Sequence, residues 1–238
     1  MIKSILFYFL IFFFGAIIPI IYFPAFIFRS KRLADNGAKM WSLSLVFFLK
    51  IICKVDYKII GLEKLPQESC IIACKHQSMW ETAIMHLILN RPVYAYKKEL
   101  LLIPFYGWFV NIMSGISIDR KGGAKSLKNL VKQSKKYLAN NQKIVIFPQG
   151  TRVPPLSTTD QYPYQSGIAA LYNNCKTKIV PVALNSGSFW PKKGLITKTG
   201  TIKIEFLDPI EVGLDKKDFM KKLQNSLEYN SNKLTKNG

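Results

Sequence analysis

Cys70-Ile71-Ile72-Ala73-Cys74-Lys75-His76-Gln77-Ser78-Met79-Trp80-Glu81 is the stretch whose reading decides the fold. Its apolar start has the length and composition of a buried strand. Ser78 followed by Glu81 has capping-box spacing, which predicts a helix from about Met79. His76 then falls in the turn between strand and helix. Open α/β sheets bind ligands at the carboxyl ends of their strands, so this turn is a candidate site. An imidazole there can take a proton near neutral pH. A carboxylate on its other nitrogen would hold the tautomer, and Glu81 is near enough in sequence to fold back to it. The local residues leave two readings open. One is a catalytic His76–Glu81 pair; the other is a capped helix beside a polar turn histidine.

On both sides of this stretch, short apolar runs alternate with helical patterns. Val55 to Leu62 begins a strand. Thr82 to Asn90 reads as an apolar helix that carries His86 in or beside the core, and Arg91-Pro92 closes it. Val93 to Tyr96, Gly115 to Ile118, Lys143 to Phe147, Lys178 to Leu184 and Thr199 to Phe206 read as strands. Pro181 is expected at an edge or a break in pairing. After Gly122 comes an amphipathic helix with Leu127, Leu130, Val131 and Leu138 on one face and lysines around it. It is either a solvated helix or a basic helix facing a membrane. Asp215 to Asp218 caps a last helix with Phe219, Leu223 and Leu227 on a packing face, and Asn230 to Gly238 is expected to fray. The fold class is α/β, a mixed sheet flanked by helices. The domain is expected over 55–229, followed by a polar tail over 230–238.

Residues 1–54 read as a membrane-attached helical segment. Ile2 to Phe28 is apolar apart from Lys3, long enough for a helix to cross a hydrocarbon core. Pro19 and Pro24 would kink or divide it. Arg29-Ser30-Lys31-Arg32 follows and should stay in the cytoplasm. Met40 to Cys53 is a shorter apolar run, suited to a buried or interfacial helix. The net charge is +20, from 34 basic and 14 acidic side chains. That excess calls for an anionic partner. No nucleic-acid motif is present, and the apolar N terminus favours an anionic phospholipid membrane over nucleic acid. The four cysteines form neither a CxxC pair nor a ligand cluster, so no metal site is expected.

Several short segments carry chemistry. Arg120, after the strand ending at Ile118, can grip a phosphate with two parallel hydrogen bonds; an exposed salt bridge to Asp119 is the alternative. Pro148-Gln149-Gly150-Thr151-Arg152 follows another strand. Its glycine permits a tight turn, and its threonine and arginine offer donors to an anion.

In chain order, His76-x-x-x-x-Glu81, Lys98-Glu99-Leu100, Gly115-Ile116-Ser117-Ile118-Asp119-Arg120, Phe147-Pro148-Gln149-Gly150-Thr151-Arg152 and Val180-Pro181-Val182 resemble the successive motifs of the glycerolipid acyltransferase family. The resemblance is to the bacterial branch that acylates 1-acylglycerol 3-phosphate. It spans about residues 70 to 185. It implies that His76 is the base and that Glu81 orients it, replacing the family's usual aspartate. It implies that Lys98, Arg120, Gln149, Gly150, Thr151 and Arg152 bind the acceptor, lysophosphatidic acid, and that Pro181 lies on the acyl-donor side. Gln149 stands where glutamate is usual; its amide hydrogen-bonds but carries no charge. The stretch Leu100 to Met113, with Pro104, Gly107 and Trp108, would line an acyl channel or pack the sheet. No cofactor is implied; an acyl-CoA or acyl carrier protein thioester is the co-substrate. The implied location is the inner (cytoplasmic) membrane, with the catalytic domain facing the cytoplasm. A different acceptor, such as another lysophospholipid or glycerol 3-phosphate, stays open. So does a non-catalytic lipid-binding role.

Overall fold

Ile71 and Ala73 face one side of the chain's central strand while Ile72 and Cys74 face the other, and all four are fully buried. A strand buried on both faces needs a helical layer on each. The computed structural model describes residues 1–103 and 106–237 and has that architecture. Pro104, expected in the wall between Leu100 and Met113, lies outside the described residues, as does Gly238 at the end of the expected tail.

Three helices come first: α1 (Ile2–Ile21), the single turn α2 (Pro24–Ile27) and α3 (Lys31–Cys53). Then follow β1 (Val55–Ile60), β2 (Ile71–Cys74), α4 (Trp80–Ile88), β3 (Val93–Lys97), α5 (Tyr106–Ile112) and β4 (Gly115–Ile118). The chain continues through α6 (Gly123–Ala139), β5 (Ile144–Ile146), α7 (Ser166–Cys175), β6 (Ile179–Leu184), β7 (Gly200–Phe206) and α8 (Lys216–Lys236). Among the described residues the strands make one seven-stranded sheet, ordered β1-β7-β6-β2-β5-β3-β4. From β6 to β4 all neighbours are parallel; β7 runs antiparallel to β6 and pairs in parallel with β1. The sheet is therefore mixed. β6, β2, β5, β3 and β4 all end at the same edge.

One face is covered by α1, α3 and α4, through Phe7, Leu45, Leu49, Trp80, Ile84 and Met85. The other is covered by α6, α7 and α8, through Leu130, Ile168, Leu171, Phe219, Leu223 and Leu227. Each such side chain contributes about 1.5–3 kcal/mol by leaving water. His86 packs within α4 against the Tyr94 ring, with centroids 4.9 Å apart. Burial pushes its pKa down to about 4, so it stays neutral at physiological pH.

Two differences from the sequence reading have physical causes. The second apolar run is only the latter half of α3, whose start is fixed by Ser30 Oγ accepting Leu33 N–H at 3.4 Å. The expected frayed tail is helix as far as Lys236. Ser231 and Leu234 are buried, and Asn185 Nδ2 donates to the Leu234 carbonyl at 3.1 Å. The packing face of Phe219, Leu223 and Leu227 expected from the sequence is buried, and it continues through Ser231 to Leu234 in the polar end. Pro181 stands, as expected, at a break in pairing: it lies opposite Ala73 on the β2 side, while on its other side the antiparallel ladder is interrupted between Val182 and Ile179. Its carbonyl accepts Leu207 N–H on the β7 side, while the ladder to β7 starts only at Val182. The chain leaves the ladder only over Asp208-Pro209 and rejoins β6 at Ile210, which exchanges two hydrogen bonds with Ile179, so the proline without an N–H falls in the gap.

α1 and α3 are each long and apolar enough to cross a membrane. They lie side by side, with Gly15 against Trp41 and Gly37 under Tyr22. At one end of this pair Phe7 meets Trp190, centroids 5.1 Å apart. At the other end Asp35 pairs with Arg91 at 3.0 Å, and Phe26 meets Trp108 at 5.6 Å. Both ends are thus fastened to the sheet domain. Ile5, Phe9, Phe12, Leu43, Phe47 and Ile51 remain exposed on the outside.

Candidate active site

The shared carboxyl edge of the five parallel strands collects the chemistry. His76 follows β2, Lys97 ends β3, Arg120 follows β4, the 147–152 segment follows β5, and Ser186 follows β6. His76 Nδ1 lies 2.9 Å from Glu81 Oε1. The Glu81 side chain is fully buried, and a buried carboxylate needs partners. Oε1 also accepts the N–H groups of Gln77 and Ser78, and Oε2 accepts the Ser186 hydroxyl at 2.8 Å. These contacts are common to both sequence readings. Glu81 satisfies donors at the helix start and holds the imidazole. The helix itself begins at Trp80, whose N–H reaches Ser78 Oγ at 3.3 Å.

The His76 ring stacks on Phe147, with centroids 3.9 Å apart and planes at 16°. Its side chain keeps 16% of its surface exposed. With Nδ1 turned to Glu81, Nε2 is the nitrogen left to exchange a proton. Two braces fix the turn further: Val153 N–H donates to the His76 carbonyl at 2.8 Å, and Gly187 N–H donates to Gln77 Oε1 at 3.0 Å.

Behind the histidine is a second polar group. Lys75 is 3% exposed, and its ammonium contacts both carboxylate oxygens of Glu228 on α8, at 2.6 and 2.7 Å. Tyr164 also donates to that carboxylate at 2.9 Å. Burial and the Glu228 charge push the Tyr164 phenol far up, so it remains a donor. Burial pulls the Lys75 ammonium down, while Glu228 opposes that pull.

Cations gather on the open side. The Arg120 guanidinium donates to the Gly150 carbonyl. Gly150 adopts φ +66°, a backbone conformation that favours glycine, whereas a Cβ there would meet only the movable end of the Arg120 side chain. Thr151 Oγ1 accepts Lys192 Nζ at 3.2 Å. Asp119 does not hold Arg120; its Oδ1 accepts Lys121 N–H and shapes the turn. Lys98 is exposed at the start of a 3-10 turn over Lys98–Leu102. The lysine that feels Arg120 is Lys97, one residue earlier. Its ammonium is held below the usual value chiefly by the Arg120 charge, with Lys192 and Arg152 adding to the repulsion and Glu99 opposing it. Counting Lys-x-Glu-Leu back from Leu100 also arrives at Lys97. Pro181, inside the sheet, is not part of the edge.

Gln149 is 5% exposed, and its Nε2 donates to the Tyr162 carbonyl at 3.1 Å. A glutamate has no hydrogen to give there. Gln149→Glu is expected to release the 154–162 loop, at a cost of about 1–3 kcal/mol for the unpaired groups. Limited proteolysis should then cut that loop faster than in the native protein.

Sequence reasoning missed Ser186, Lys75, Glu228, Lys97 and Lys192. Of these, only Lys97 carried a signal, the motif spacing just described. Ser186 and Lys192 meet the site, and Glu228 meets Lys75, across more than 40 residues of chain.

Comparison with known proteins follows the same lines. Residues 56–185 match the family model described as Acyltransferase. Over 211 residues the chain is 33% identical to the 1-acyl-sn-glycerol-3-phosphate acyltransferase of Pseudomonas aeruginosa, covering 85% of this chain and 78% of that protein. The Escherichia coli protein of the same name is 25% identical over 81% of this chain and 76% of its own. In fold, the chain resembles the crystal structure of the 1-acyl-sn-glycerophosphate acyltransferase of Thermotoga maritima. The TM-score is 0.78 over 98% of this chain and 96% of that one, at 16% identity.

Proposed function

This chain belongs to the acyltransferase family, and on that premise we propose that it moves a long acyl chain from a thioester to the free hydroxyl of 1-acyl-sn-glycerol 3-phosphate, giving phosphatidic acid. The observation that carries the reading is the buried Glu81 carboxylate 2.9 Å from His76 Nδ1, beside a cluster of cations. His76 Nε2 takes the hydroxyl proton as the oxygen attacks the thioester carbonyl. Glu81 keeps the tautomer and balances the imidazolium that forms. The tetrahedral intermediate collapses, the C–S bond breaks, and the imidazolium returns its proton to the departing thiolate. Acyl-CoA and an acyl carrier protein thioester both supply this chemistry. Arg120 and Arg152 draw the acceptor phosphate, with Lys97 beside them, Lys98 at the rim, and Gly150 and Thr151 shaping the floor. Gln149 acts through the loop it holds rather than by touching the acceptor.

The exposed apolar side of the α1–α3 pair goes into the membrane surface. Because both ends of the pair are fastened to the sheet domain, it lies along the bilayer interface on the cytoplasmic side. The amphiphilic acceptor then enters the cleft from the leaflet.

The test is a product assay in detergent micelles. Acyl-CoA and acyl carrier donors are offered with lysophosphatidic acid, other lysophospholipids and glycerol 3-phosphate, and products are identified by mass spectrometry. Phosphatidic acid is the expected product. Transfer only to a different acceptor would overturn the substrate, and no transfer from any thioester would favour a lipid-binding role.

A further inference from the structure

The loop between β6 and β7, residues 186–199, begins at the pair that braces the catalytic turn. Ser186 holds Glu81, and Gly187 holds Gln77. Its far half is pinned by the first two turns of α1. Ser4 Oγ, fully buried, accepts Ile196 N–H at 2.9 Å. Tyr8 donates its hydroxyl to the Gly194 carbonyl at 3.1 Å and accepts Trp190 Nε1 at 3.1 Å. Phe7 is fully buried edge-on against Trp190. Between the pins at Trp190 and Gly194 only Pro191, Lys192 and Lys193 remain, and the proline ring fixes one of the backbone angles there.

The short span so defined sends Lys192 to Thr151. That places a fourth cation in the group around Lys97, whose ammonium feels the charges of Arg120, Lys192 and Arg152. Among the described residues no carboxylate pairs with Lys192. An ammonium resting on a neutral hydroxyl, among like charges, is best satisfied by an incoming anion. A phosphate monoester carries about −1.5 to −2 at neutral pH and three acceptor oxygens; a phosphodiester carries one charge and has one ester oxygen more. A fourth cation favours the first over the second.

Resting on the acyl-acceptor reading above, we propose that Lys192 is a headgroup-specificity residue selecting phosphate monoesters over phosphodiesters, and that α1 belongs to the acceptor site because it holds the loop that presents Lys192. Lys192 touches the acceptor; Tyr8 is a positioning residue.

The experiment measures binding and turnover separately, using native protein, Lys192→Met, Lys193→Met and Tyr8→Phe in detergent micelles. Calorimetric titration with 1-acylglycerol 3-phosphate, without donor, gives Kd. Steady-state assays with that acceptor and with a lysophosphodiester give KM and kcat. Loss of one charge-assisted contact should weaken Kd and raise KM about 10-fold for Lys192→Met, with kcat within about twofold and a smaller preference for the monoester. Lys193→Met, which removes an exposed neighbouring charge, should bind like the native protein. Tyr8→Phe should raise KM about 3-fold with kcat unchanged. The specificity role is overturned if Lys192→Met binds the monoester like the native protein, or if Lys193→Met loses as much. An unchanged KM in Tyr8→Phe overturns the part given to α1. In those cases the native protein still makes phosphatidic acid. A native protein that neither binds nor acylates the monoester would remove the acceptor reading as well.

Discussion

Turnover in His76→Ala is expected to fall about 10²- to 10⁴-fold, the range a positioned general base supplies, while the protein stays folded. The two effects separate because of how Glu81 is held. Removing the imidazole costs Glu81 one of its partners, but Gln77 N–H, Ser78 N–H and the Ser186 hydroxyl remain. The buried carboxylate is still satisfied, so the stability change should stay within about 1 kcal/mol. Phe147 loses its stacking partner on a partly open side. The check is kcat at saturating acceptor together with a thermal melt. A variant that melts normally and turns over normally would remove His76 from the chemistry.

Glu228→Ala should be the most destabilising single change in the domain outside the hydrophobic core. It leaves the Lys75 ammonium, 3% exposed, without either of its carboxylate contacts. Breaking a buried ion pair by removing one partner costs about 3–5 kcal/mol. For a chain of this size, about 2–4 °C per kcal/mol converts that into a melting point lower by roughly 6–20 °C. Tyr164 loses its acceptor at the same time. The double variant Lys75→Met with Glu228→Leu should recover much of the loss, because an apolar pair needs no counter-charge. A melt of the single variant within 2 °C of native would show that the pair is solvated in solution.

What the residues disclose unaided follows from the range over which they act. His76 and Glu81 are five positions apart, so helix-start chemistry brings them together, and short-range patterns reveal them. The strands and the mixed sheet follow from runs such as Ile71–Cys74, where every residue is apolar. The strand order does not follow. β7 reaches its place beside β1 only through pairing across more than 140 residues of chain. Ser186, Lys192 and Glu228 are ordinary polar residues in sequence. Their roles come from the folded edge, where the ends of β2, β5 and β6 converge. Phe219, Leu223 and Leu227 disclose the packing face of α8, but beyond Leu227 only Leu234 adds to it, so tertiary packing against Ala183 and Leu207 rather than composition carries the helix to Lys236. Pro181 is legible for the opposite reason: a proline inside an apolar run signals a gap in pairing, and the ladder beside β6 is broken there.

Direct transfer of the acyl group, with His76 as base and no acyl-enzyme on the way, is the central claim. The intact mass of the protein after mixing with a long-chain thioester alone, and then after adding lysophosphatidic acid, tests it most directly. The account predicts an unchanged protein mass in both samples, with phosphatidic acid and free thiol appearing only when both substrates are present. A protein heavier by one acyl group, formed from the thioester alone and discharged by the acceptor, would contradict it and move the chemistry to a side-chain nucleophile.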